Sequence, residues 1–150
     1  GIYGAMCRST GCFGGTGDAQ QGVYCLRGQT TTNAAKVLTS DAGGAGTSNQ
    51  VVLPNNSTYT FRALVTAHRT DVVSGFTHVA SWTVSGAAVR GANAAATVVS
   101  AAINTIYNTP GWTLAVAEDT TNGCIKFTFT GANSMTIRVL AVVDTSEVTA

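Results

Sequence analysis

The sequence predicts an all-β fold, an antiparallel β-sandwich of jelly-roll-like outline with at most one short helix. Three observations carry that prediction. Apolar and polar residues alternate with period two in several segments, the pattern of strands with one buried face. Turn clusters such as Pro54-Asn55-Asn56-Ser57 and Thr120-Thr121-Asn122-Gly123 separate those segments at intervals of roughly ten residues. The one stretch with helical spacing, Ala92 to Tyr107, is rich in β-branched residues, which disfavour a helix.

Taken in order, residues 1–48 form a Gly-rich N-terminal segment with short strands expected at Val23–Arg27 and Lys36–Thr39 and a loop from Asp41 to Ser48. This segment is read as part of the same domain as the sandwich body, 49–150. Asn49 to Leu53 is a strand that stops at Pro54. In the next segment Tyr59, Phe61, Ala63, Val65 and Ala67 alternate with Thr58, Thr60, Arg62, Thr66 and His68, with Leu64 alone placing an apolar side chain on the polar face. At about 3.3 Å per residue, Thr58 to Arg69 extends close to 40 Å. Asp71 to Gly75 turns the chain into an antiparallel partner that sets Ala80, Trp82 and Val84 on its apolar side.

Ala92 to Tyr107 is assigned to β or irregular structure. Trp112, Leu114 and Val116 form the face of a strand that Asn122-Gly123, a strong hairpin signal, joins to Ile125, Phe127 and Phe129. The last strand buries Met135, Ile137, Val139, Ala141 and Val143. Its opposite face carries Leu140 and Val142, so cover is expected on both sides.

Composition narrows the function. Charged residues make up 10% of the 150, against about 25% in a typical soluble domain. So few charges favour an oligomer or a piece of a larger assembly. Eight basic and seven acidic residues lie scattered, with a net charge of +1. No basic cluster in the sequence supports nucleic-acid binding, and Val139 to Val143, the longest strongly apolar run, is too short for membrane insertion. The Gly-rich start has no apolar signal-peptide core. With no initiator Met, a fragment of a longer protein is expected.

Cys7, Cys12, Cys25 and Cys124 read as free core thiols or as two disulfides; without a CxxC pair, zinc is a poor fit.

Candidate chemistry is sparse. Glu118 and Asp119 are the only adjacent carboxylates, and neighbours in a strand point to opposite faces, so they cannot flank one glycosidic bond. Asp119 fits the opening of a turn. No Gly-x-Ser-x-Gly context or P-loop is present. No catalytic residue, metal or cofactor is therefore assigned. His68 and His78 can face each other across a hairpin but lack a third ligand of fixed spacing, and solvated histidines are the simpler reading. Trp82, Trp112 and Tyr59 fall on apolar faces and belong to the core. Tyr3, Tyr24 and Tyr107 are freer to stack on sugars. The candidate binding residues are Tyr24, Tyr107, His68 and His78.

One resemblance extends this reading. Gly17-Asp18-Ala19-Gln20 precedes Val23-Tyr24-Cys25-Leu26-Arg27 and Thr30-Thr31-Thr32. Asn49 to Phe61 follows as Asn-Gln-Val-Val-Leu-Pro-Asn-Asn-Ser-Thr-Tyr-Thr-Phe. Then come Ala67-His68-Arg69, Trp82-Thr83-Val84-Ser85-Gly86, Asp119 to Gly123, Thr130-Gly131-Ala132, Ile137-Arg138-Val139 and Thr145-Ser146-Glu147-Val148. From about Phe13 onward this series resembles the β-rich distal domain of tailed-bacteriophage tail fibres and tail spikes. His68 stands where that family suggests Arg, and Val139 where Trp is common; both bear on side-chain contacts rather than on the fold.

The resemblance implies a non-enzymatic virion module in a tail appendage or at the particle surface, assembled in the host cytoplasm. It also implies self-association as a homotrimer, contacts with other tail or capsid proteins, and recognition of host-surface polysaccharide. Two alternatives remain open: a capsid decoration or fibre-capping protein without a receptor, and the C-terminal module of a capsule-degrading spike whose catalytic domain lies elsewhere.

Overall fold

A computed structural model describes residues 5–9, 11–72 and 75–150. Among the described residues, ten strands form two antiparallel sheets: β1 (Met6–Arg8), β2 (Ala19–Thr30), β3 (Lys36–Val37), β4 (Val51–Val52), β5 (Ser57–Arg69), β6 (Val79–Arg90), β7 (Thr97–Asn108), β8 (Thr113–Asp119), β9 (Cys124–Thr130) and β10 (Ile137–Thr149). The six-stranded sheet has the order β1-β2-β10-β5-β6-β7. In the four-stranded sheet β9 is central, with β3 and β4 along one side and β8 along the other. Among the described residues, helical geometry is confined to two 3-10 turns, Gly75–His78 and Ala94–Ala96. The antiparallel sandwich is therefore the observed architecture.

Period-two alternation decides which way each long strand faces. Along β5, Ser57, Tyr59, Phe61, Ala63, Val65 and Ala67 are buried while the intervening residues up to His68 are exposed. The phase continues in β10, where Ile137, Val139, Ala141 and Val143 point inward and are followed inward by Thr145 and Glu147. The two strands pair from Ile137 opposite Arg69 to Thr149 opposite Ser57. A one-residue slip would turn every apolar side chain outward, so the pattern holds the register.

Aromatic contacts join the sheets. Phe61 and Trp82 on the large sheet meet Phe127 and Phe129 on the small one edge-to-face, with centroids 6.3 and 6.2 Å apart. Trp112 closes on Phe129 at 5.8 Å. The edge-to-face arrangement sets the positive rim of one ring against the negative face of the next.

Three sequence expectations need correction. The strand read over Asn49–Leu53 is regular only at Val51–Val52, because the side chains of Asn49 and Gln50 serve the preceding loop, donating to Gly44 O and Gly46 O. Val23–Arg27 lies within the longer β2, whose Gly22 and Gly28 continue the buried face without side chains. The β8–β9 turn falls on Thr120–Gly123 as expected, with Gly123 N–H donating to Asp119 O at 2.7 Å, but of the Asn-Gly pair Gly123 alone takes the positive φ that both were expected to adopt. The stretch Ala92–Tyr107 becomes a 3-10 turn followed by most of β7, in line with its β-branched content. The turn expected at Asp71–Gly75 includes two residues, 73 and 74, outside the described ones.

Gly123 gives a direct test. Its φ of 70° strains any residue with a Cβ, and an added Cβ would also meet the guanidinium of Arg90, which donates to Leu53 O at 2.6 Å. Gly123→Val is expected to destabilise the fold by about 2 kcal/mol or more, whereas Thr128→Val, on the outer side of β9, stays within about 0.5 kcal/mol of the parent. Urea midpoints at one protein concentration measure both, and equal midpoints would contradict the assigned turn.

Candidate functional site

The two faces of the six-stranded sheet differ in kind. The inner face packs against the small sheet. The outer face is uncovered in the single chain and is organised in cross-strand rows by the register. One row runs Arg27, Leu140, Thr66, Ser81, Tyr107; the next runs Cys25, Val142, Leu64, Thr83, Asn104; a third holds Val23, Asp144, Arg62, Ser85, Ala102. Side chains opposite each other on one face are roughly 5 Å apart at Cβ, so Leu64, Val142 and Leu140 form a contiguous apolar strip. Leu64 is 64% exposed and Leu140 47%. A depression of about 510 Å³ lies here, lined by Leu64, Val142, Thr83 and Asn104 and flanked by Arg62 and Asp144. The Arg62–Asp144 ion pair, Nε to Oδ2 at 3.4 Å, is solvent-exposed and contributes little.

Two polar clusters inside the sandwich are structural. Glu147 is 2% exposed and accepts from Tyr24 OH at 2.9 Å, from Gln20 Nε2 at 2.5 Å and from the Thr145 hydroxyl. Gly22 makes room for it: an added Cβ would stand 2.5 Å from Glu147 Oε1 and 2.6 Å from Thr145 Oγ1. Burial, followed by the neighbouring Glu147 charge, pushes the Tyr24 and Tyr59 hydroxyls well above the ordinary tyrosine range.

At the other cluster Asp119 accepts from Gln50 Nε2 at 2.9 Å, Asn122 Nδ2 at 2.8 Å and the N–H groups of Thr121 and Asn122. Burial pushes its pKa up, but those hydrogen bonds outweigh burial and hold it below the usual carboxylate range. Beside it Cys124 is buried and its thiol is pushed up to about 12, mainly by desolvation. The arrangement leaves a thiol without nucleophilic character and a carboxylate committed to a turn.

The candidate residues do not converge. Tyr24 is the clearest correction: it is 4% exposed, with its hydroxyl on Glu147, so its ring has no face for a sugar. Its inward phase with Leu26 was the available signal. Tyr107 is exposed at the end of a row on the outer face, on the edge strand β7. His68 is exposed on β5, opposite Val79 and Arg138, while His78 ends a 3-10 turn with Nδ1 3.2 Å from Thr77 Oγ1. Among the described residues no group of three His, Cys, Asp or Glu side chains gathers where a metal ion could be held. Tyr3 lies outside the described residues. Cys7, Cys12 and Cys25 are exposed free thiols, so the reading as core thiols holds for Cys124 alone. Glu118 is exposed and Asp119 buried, the opposed orientation expected of strand neighbours.

No protein-family model matches the chain, and no curated protein matches it. Among solved structures it is similar to a tailspike protein of Acinetobacter baumannii bacteriophage Fri1, a capsular polysaccharide depolymerase, at a TM-score of 0.46 and 11% identity. The alignment covers 96% of this chain and 20% of the spike, so the chain spans about one fifth of that protein's length.

The Asp119 cluster predicts a pH signature. With its folded pKa depressed, Asp119 contributes stability that is present above its unfolded value of about 3.9 and is lost as pH falls through the folded pKa. Asp119→Asn is expected to be less stable than the parent at pH 7 by about 1–3 kcal/mol, with the gap closing in the acid range below about pH 4. Urea unfolding of both proteins across that range measures it; a gap that stays constant would contradict the depressed carboxylate.

Proposed function

We propose that this chain is a non-catalytic structural module of a phage tail fibre or tail spike that self-associates as a homotrimer through the outer face of its large sheet and takes part in host-surface recognition. The observation that carries the association is the uncovered strip of Leu64, Leu140 and Val142, with a second exposed apolar row, Val148, Val89 and Val98, at the other end of the face beyond the rows of Arg62 and Thr60. Exposed apolar patches on a sheet face mark interaction sites. Burying about 400 Å² of it at about 25 cal/mol per Å² contributes about 10 kcal/mol per subunit, a magnitude comparable to the roughly 4–15 kcal/mol cost of association.

A second feature supports the same reading. β7 is a twelve-residue strand at the sheet edge with no charged residue and no proline. Edge strands exposed to water are normally shortened, charged or bulged against unwanted pairing. The bulge at Ser81/Trp82 disturbs β7 pairing locally, but Val98 and Ile106 remain exposed. The number three and the tail-appendage setting come from the sequence resemblance. The non-catalytic reading rests on the opposed orientation of Glu118 and Asp119 and on the structural commitment of Asp119, Glu147 and Cys124.

Light scattering at micromolar concentration is expected to return a trimer. The double variant Leu64→Glu/Leu140→Glu is expected to return a monomer with an unchanged far-UV circular dichroism spectrum, because both side chains point away from the core. A parent that is monomeric would contradict the association, and a stable dimer would contradict its number.

A further inference from the structure

At one corner of the outer face the register gathers positive charge without an acidic partner. Arg138 on β10 lies between Gln29 on β2 and His68 on β5, and one step along β2 on the same face stands Arg27, opposite Leu140. All four polar side chains are exposed. Arg27 and Arg138 occupy diagonal positions on neighbouring strands, about 7 Å apart by sheet geometry. Among the described residues, the ion pairs of arginines are Arg62 with Asp144 and Arg69 with Asp71. Arg27 and Arg138 have none. Arg138 Nε donates to Gln29 Oε1 at 3.0 Å, which steers the guanidinium toward β2. The carboxylates nearby are accounted for: Asp71 is held by both Nε and Nη2 of Arg69, at 2.6 and 3.2 Å. Asp144 lies six residues from Arg138 along β10, about 20 Å away, and is occupied by Arg62.

Two arginines at diagonal positions on one face, without a carboxylate partner, supply planar donors that match the paired oxygens of an oxyanion. The surroundings fit a saccharide rather than a bare ion. Gln29 and His68, on either side of Arg138, add donors and acceptors for hydroxyl groups.

We propose that Arg27 and Arg138, with Gln29 and His68, form a binding site for the oxyanion group of an acidic polysaccharide. The inference rests on the host-surface reading of the previous subsection and names the ligand class for it. It does not require the trimer: Gln29, Arg138 and His68 form the row beyond Leu140, away from Leu64 and Val142, and Arg27 lies to the β2 side of Leu140.

The test uses the full chain and three probes: a polyuronate, neutral dextran of matched length, and inorganic phosphate as competitor. Calorimetric titration is expected to show polyuronate binding that weakens with salt, and no binding of dextran. Arg27→Gln/Arg138→Gln is expected to weaken binding about tenfold or more. Arg8→Gln/Lys126→Gln, which removes the same charge elsewhere, should bind as the parent does. Displacement of polyuronate by millimolar phosphate would assign the natural ligand to a phosphorylated glycan, and resistance to phosphate would assign it to a carboxylated one; both support the oxyanion site. Absence of polyuronate binding, equal binding of dextran, or equal loss in the two double variants would overturn it. Light scattering on the same samples separates the two proposals: lost binding in an intact trimer concerns this site, and a monomer that still binds polyuronate refutes only the association.

Discussion

The pairing of β10 on both its sides is the constraint on which the rest of the structure depends. The last strand of the chain lies between β2, from the N-terminal segment, and β5, and hydrogen-bonds to each over nearly its whole length. Without it the β5–β6–β7 meander would be a three-stranded sheet open at both edges, and β2 would keep only the three-residue β1 and a single bridge from Arg27 to Thr39. Backbone groups buried between sheets must be paired, so β10 both satisfies its neighbours and carries the core residues Ile137, Val139, Ala141 and Val143. Glu147 extends this role by holding Gln20 and Tyr24 against the end of the same strand. A carboxylate in that position is tolerated because it has three hydrogen-bond donors.

Most of the architecture was legible because its strands are long and half-buried. β5, β6, β9 and β10 alternate over enough residues that period two stands out, and Trp82, Trp112 and Tyr59 were readable as core from their phase alone. The errors fall where alternation is short or where a polar residue shares the inward phase. Tyr24 sits in a strand whose buried positions include two glycines, which erases the apolar signal around it. Glu147 follows Val143 and Thr145 in phase, yet a carboxylate there reads as solvated unless its donors are known, and Gln20 and Tyr24 are more than a hundred residues away. The β8–β9 turn was read from its Asn-Gly pair, but Asn122 does not take positive φ; its side chain and that of Gln50, just before β4, donate to Asp119 instead.

The candidate site was less legible than the fold, for a physical reason. A binding face on a sheet is assembled by register, and residues that share a row can lie anywhere in the sequence. Arg27 and Arg138 are neighbours only because β2 and β10 pair in one alignment. His68 and Tyr107 were identified as exposed, but their relation to the two arginines and to the Leu64–Leu140 strip required the cross-strand partners. The sparse charge of the chain was the one feature of the outer face visible in composition: it left apolar side chains on a surface that water alone covers in the single chain.

Pairing of β10 on both sides puts the greatest stability in the centre of the large sheet, and native-state hydrogen exchange tests that most directly. Amides of β10 from Val139 to Thr145, together with their β5 partners, should exchange last and only through global unfolding, while β1 and the free edge of β7 exchange through local opening. If β10 instead exchanges as early as β1, with β6 or β9 protected longest, the claim that the final strand holds the sandwich together is wrong.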